Sequence, residues 1–132
     1  MATTTIPLAS ISVNAERALF GQPDFTVLQT ATATALSAAY TPSAQDIARL
    51  FKLCASFSAA PAVSVIQVMD GSTVIWQQDI PAAAGPYQWD FSAKPLRGSA
   101  GAVLSVTMGS AGGSVVQTIC WTGDVIHNSQ GH

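Results

Sequence analysis

The stretch from Ala62 to Ile80 restricts the fold of this chain more than any other segment. Residues 62–69 (AVSVIQVM) and 73–80 (TVIWQQDI) are apolar, largely β-branched runs joined by Asp70-Gly71-Ser72. In the first run Val63, Val65 and Gln67 fall on one face and Ser64, Ile66 and Val68 on the other. A period of two in β-branched residues suits a half-buried strand rather than a helix. The Asp-Gly step permits a tight reversal, so the segment predicts an antiparallel hairpin.

Comparable units follow. PAAAGP (81–86) is punctuated as a loop, and YQWDF (87–91) alternates Tyr87, Trp89 and Phe91 with Gln88 and Asp90, leaving one aromatic face to bury. KPLRGSAG (94–101) is a second loop, AVLSVTM (102–108) a strand, GSAGG (109–113) a turn and SVVQTICWT (114–122) the partner strand. Roughly six or seven short strands at 8–12-residue spacing predict an all-β fold, a jelly-roll-like antiparallel β-sandwich. Trp76 or Ile75, Trp89, Leu104 and Val116 are its candidate core, and Trp76 with Trp121 also fits an intersheet core.

One segment reads two ways. Ser43 to Phe57 places Ile47, Leu50, Phe51, Cys54 and Phe57 at near-helical spacing, with Ser43 and Asp46 resembling a capping box. In period two, Phe51, Leu53, Ala55 and Phe57 form a strand face instead. With β-structure on the rest of the chain, a strand from about Arg49 to Ser58 is the expectation.

At 132 residues the chain is expected to form one domain that buries about two-thirds of the surface of its unfolded state. Residues 1–45, rich in Thr, Ala and Ser with Pro7, Pro23 and Pro42, read as an extended N-terminal arm or strand region; Thr30 to Ala35 alternates Thr and Ala, a period of two that favours an extended strand or arm. Residues 46–126 read as the sandwich and 127–132 as a polar C-terminal tail.

Charged residues make up 9% of the chain and hydrophobic ones 48%, which excludes an intrinsically disordered protein. A net charge of −2 offers no electrostatic footing for nucleic acid or an anionic membrane. So little charge leaves an exterior of Ser, Thr, Gln, Ala and Gly, which suits packing against copies of itself or a larger assembly. No run approaches the roughly 18 apolar residues of a membrane span. The N-terminal residues lack the basic and apolar regions of a signal peptide, so synthesis in a cytoplasm is expected.

No catalytic, cofactor-binding or metal-ligating residues are assigned. His127 and His132 both fall in the expected tail, and His127 with nearby Asp124 lacks the fixed geometry that a catalytic triad needs. Cys54 and Cys120, too few for a disulfide framework, read as two buried thiols whose pairing is open. Asp79 and Asp90 flank one loop and could face each other as glycosidase carboxylates do, although turn and edge roles are commoner. Trp76, Trp89 and Trp121 could make a sugar-stacking platform, but such residues more often fill a core. Gly109-Ser110-Ala111-Gly112-Gly113 has the composition of a phosphate loop without its lysine.

The run from Ile47 to Ile126 resembles small structural proteins of tailed bacteriophages. The similarity lies in Val68 to Ile75, of the form V-x-DGST-x-I, and in Leu96 to Thr107, of the form L-x-x-x-x-G-x-x-L-x-V-T. The resemblance implies a virion protein without enzymatic activity or cofactor: a capsid decoration (cement) protein on the head surface. Its expected partners are the major capsid protein and, as a dimer or trimer, itself, with no nucleic acid or membrane partner. The residue 1–45 arm would clamp across capsid subunits. The alternatives are a tail or baseplate protein of the same fold, or a carbohydrate-binding β-sandwich module.

Overall fold

The computed structural model describes residues 25–62 and 65–127. These residues contain no helix and form nine strands: β1 (Phe25–Thr32), β2 (Leu36–Tyr40), β3 (Ile47–Phe57), β4 (Val65–Asp70), β5 (Thr73–Asp79), β6 (Tyr87–Asp90), β7 (Leu96–Arg97), β8 (Leu104–Met108) and β9 (Val116–Ile126). The first sheet runs β1-β9-β3-β6 with β7 also paired to β3, and the second runs β2-β8-β4-β5. All pairings are antiparallel. Only the β4–β5 and β6–β7 links stay within a sheet; every other connection crosses to the opposite one, giving a jelly-roll sandwich.

The predicted hairpin forms. Asp70 pairs with Thr73 across the two-residue turn Gly71-Ser72, and Ile66 and Val68 point into the core. A bulge between Val68 and Met69 leaves Ile75 as an extra residue of β5, opposite no single partner.

The strands begin earlier than the sequence suggests. Residues 25–45, assigned above to the arm or strand region outside the sandwich, hold β1 and β2, which pair along their whole lengths with β9 and β8. Phe25, Val27 and Ala31 pack against the core, and Phe25 stacks on Tyr40 with ring centroids 3.9 Å apart. The Thr-Ala alternation is therefore the end of a paired strand, and Ala33, at a φ of 58°, turns the chain from one sheet into the other. The arm expectation is left with residues 1–24, which lie outside the described residues.

The ambiguous segment is a strand, starting at Ile47 rather than Arg49. Its helix-like spacing comes from a bulge: Leu50 pairs with Gly123 and Lys52 with Thr122, so Phe51 is the extra residue. The bulge resets the alternation, placing Ala48 and Leu50 inward before it and Leu53, Ala55 and Phe57 inward after it. Phe51 is buried apart from the main core, its ring 5.1 Å from the Arg49 guanidinium carbon. Gly123 makes this possible, because a Cβ there would collide with the Arg49 carbonyl oxygen and crowd the Trp121 ring.

Trp121 lies at the centre of the core, fully buried, and its Nε1 donates 3.0 Å to the Ala38 carbonyl of the opposite sheet. Leu104 is buried as expected, but Val116 is only half-buried. The inward positions of β9 are 117, 119 and 121, so the polar Gln117 takes the place expected for Val116. Its Nε2 donates to the Thr34 and Gly109 carbonyls at 2.8 and 3.1 Å, which closes that end of the sandwich. Trp76, Ile75 and Trp89 are half-buried at the core margin.

Candidate functional site

The outer face of the first sheet is built from side chains opposite in register. One row is Leu28 (β1), Cys120 (β9), Cys54 (β3) and Gln88 (β6). On one side of it run Thr30, Thr118 and Ser56, and on the other Thr26, Thr122, Lys52 and Asp90. From β1 to β3 the first two of these rows carry hydroxyl, thiol and aliphatic groups without charge, whereas the third ends in Lys52 on β3 and Asp90 on β6. Leu28 is 61% exposed, the larger of two such values among the exposed large hydrophobics described. β1 is also the end of its sheet, so its outer backbone groups have no strand partner among the described residues. Leu28 was not singled out in the sequence; its period-two neighbours Thr26, Thr30 and Thr32 were the available signal.

Beyond the Thr122 row, further charged groups are paired with one another. Arg49 donates from Nε and an Nη to the two carboxylate oxygens of Asp124 at 2.8 and 2.6 Å, a bidentate pair between β3 and β9. His127 directly follows β9 instead of lying in a free tail: its Nδ1 is 3.0 Å from Oδ2 of the buried Asp46. Asp124, the neighbour considered for it in the sequence, is held by Arg49 instead. His132 lies outside the described residues.

Asp79 and Asp90 stand in different sheets, Asp79 opposite Val65 and Asp90 opposite Lys52. The Asp90 carboxylate accepts the Ser92 N–H at 2.8 Å, and the Ser92 hydrogen bonds hold its pKa below the ordinary carboxylate value, helped by the charge of Lys52. Among the described residues no group of three or more His, Cys, Asp and Glu side chains could hold a metal ion. Gly112 and Gly113 take positive φ in the turn between β8 and β9.

Cys54 and Cys120 are free and only half-buried, not fully buried as expected. They are directly opposite each other on β3 and β9. Burial, and secondarily the presence of Cys54, pushes the Cys120 thiol above its ordinary pKa.

The tryptophans divide into two groups. Trp121 is core, whereas Trp76 and Trp89 meet edge to face, 5.5 Å apart, between β5 and β6, the end strands of the two sheets. Phe91 packs edge to face on Trp76 at 5.2 Å, and Tyr87 stacks with Trp89 at 6.3 Å. These rings fill the gap between the sheet edges and engage mainly one another.

The two motifs that carry the phage resemblance are neighbours in the fold. Val68, Met69 and Asp70 pair with Val106, Ser105 and Leu104. The Asp70 carboxylate accepts the Ser99 N–H at 2.9 Å and the Ser99 hydroxyl at 2.6 Å. The motif glycine, Gly101, has a φ of 71° and lies so close to the Ala44 carbonyl that no Cβ would fit.

No protein-family model and no curated protein matches the chain. Solved structures with some likeness include CBM4 at 8% identity, covering 76% of this chain and 82% of that one with a TM-score of 0.41. PirA matches at 12% identity, covering 76% and 95%, with a TM-score of 0.45. The Yersinia pseudotuberculosis-derived mitogen matches at 10% identity, covering 78% and 87%, with a TM-score of 0.44. Likenesses at this level say nothing about what this chain binds.

Proposed function

We propose that this chain is a β-sandwich binding module of a tailed-phage virion, a decoration protein that docks on the outer surface of the head and stabilises it. The observation that carries the reading is exposed Leu28 beside an open sheet edge, among the uncharged side chains Thr30, Thr118, Cys120, Cys54 and Ser56 of β1, β9 and β3. A face of small hydroxyl and aliphatic groups can lie against a protein lattice without stranding charge, and the β1 edge offers backbone hydrogen bonds to an added strand. The adjacency of the two motif segments, tied by Asp70 and Ser99, supports the resemblance as one structural unit rather than two separate coincidences. The major capsid protein is the proposed partner, and a dimer or trimer would match local symmetry axes of the shell. The test is the number of copies of this chain relative to the major capsid protein in purified particles of the encoding phage. Hundreds of copies support a head protein, a handful move it to the tail or baseplate, and none removes the virion reading.

A glycan-binding reading has one observation in its favour, the half-buried Trp76 and Trp89 on the end strands β5 and β6. Tryptophan emission that is quenched and shifted by added oligosaccharides would support it, and emission indifferent to them would remove it.

A further inference from the structure

We propose that Cys54 and Cys120 are a redox-active dithiol, which a small-molecule disulfide converts into a cross-strand disulfide on the outer face of the first sheet. The inference does not depend on what the face docks against.

Register places the two cysteines in direct opposition on adjacent antiparallel strands. Opposed residues in such a pair have Cα atoms about 4.5 or 5.5 Å apart. Both spacings fall within the roughly 4.4–6.8 Å spanned by disulfides, so no strand has to slide for the sulfurs to join. Both side chains leave the same face of the sheet, since their neighbours Leu53, Ala55, Ile119 and Trp121 point into the core. Neither thiol is sealed in. Cys54 also lines a half-open hollow of about 450 Å3 with Lys52, Gln88 and Asp90, where a small disulfide can approach its sulfur.

The chemistry is thiol–disulfide exchange. One cysteine thiolate attacks the reagent's S–S bond, forming a mixed disulfide and expelling one small thiolate. The second cysteine thiolate then attacks the protein sulfur of that mixed disulfide and expels the other small thiolate. One protein S–S bond forms, the reagent's S–S bond is lost, and the two protons of the cysteines end on the two released thiols. The second step is intramolecular between opposed residues, so the mixed disulfide does not persist. Cys120, whose thiol is held above the ordinary value, supplies little thiolate at neutral pH, so closure quickens as pH rises.

The test uses the full chain, incubated natively with oxidised and reduced glutathione at graded ratios, quenched with acid and weighed by intact-mass spectrometry. The expected result is one transition from the dithiol to a monomer lighter by two hydrogens, with no lasting adduct. Cys54→Ser and Cys120→Ser should each instead stop at a single glutathione adduct, with circular dichroism confirming that they fold. A wild-type chain that accumulates adducts, links to a second chain, or stays fully reduced at the most oxidising ratio would overturn the proposal. If either serine variant fails to fold, the wild-type mass alone decides.

Discussion

Asp70 and Ser99, 29 positions apart, are joined by two hydrogen bonds: the Asp70 carboxylate accepts both the backbone N–H and the hydroxyl of Ser99. The contact pins the loop before β8 to the β4–β5 turn. The Gly71 N–H, donating to the Val103 carbonyl at 2.8 Å, binds the same two pieces. Asp70→Ala removes the shared acceptor. It should lower the unfolding free energy by about 1 kcal/mol in urea titration, the modest figure reflecting solvent access at the site. Ser99→Ala, which keeps the backbone bond, should cost less.

Trp121 bridges the two sheets through its bond to the Ala38 carbonyl while filling the core. Trp121→Phe leaves that buried carbonyl without its donor and should cost about 2–3 kcal/mol, and Trp121→Ala about 3–5 kcal/mol. Equilibrium urea unfolding checks both.

Deletion of residues 1–40 would remove β1 and β2, one edge strand from each sheet, together with the Phe25–Tyr40 stack. The remaining chain should lose the cooperative unfolding transition seen by circular dichroism. The proposed arm must therefore be tested by deletions that stop at residue 24.

Leu28 sits on the proposed docking face with no core contact to lose. Leu28→Glu should change stability by less than about 1 kcal/mol. On the docking proposal it should cut occupancy of purified heads by about tenfold or more, since burying a Leu contributes about 1.5–3 kcal/mol. Unchanged occupancy would move the contact elsewhere.

Asp90 should titrate below the ordinary carboxylate value of 3.8 in a side-chain NMR titration, and Ser92→Ala should move it back up. Because the folded pKa is depressed, any stability it provides is present above the ordinary value. That contribution is lost as pH falls through the depressed one, so the effect is confined to acid conditions.

The alternation of β4 and β5, the Asp-Gly turn and the aromatic alternation of β6 are local properties, so the all-β sandwich and its central hairpin were legible in the chain. The two motif segments were legible as patterns, but not their contact, because Asp70 and Ser99 meet only when β8 lies beside β4. Other features depended on register, which a linear pattern does not specify. A one-residue offset in β9 put Gln117 rather than Val116 inside. The bulge at Phe51 imitated helical spacing, and its fit against Gly123 exists only between paired strands. Residues 25–45 read as arm or strand without a place in the sandwich because β1 and β2 bury little individually; pairing with β9 and β8 made them part of it. Composition and periodicity thus determined the class of fold and a sparsely charged surface. The tertiary structure alone decided which residues share a face, because cross-strand opposition, as between Cys54 and Cys120, arises from pairing segments far apart in sequence.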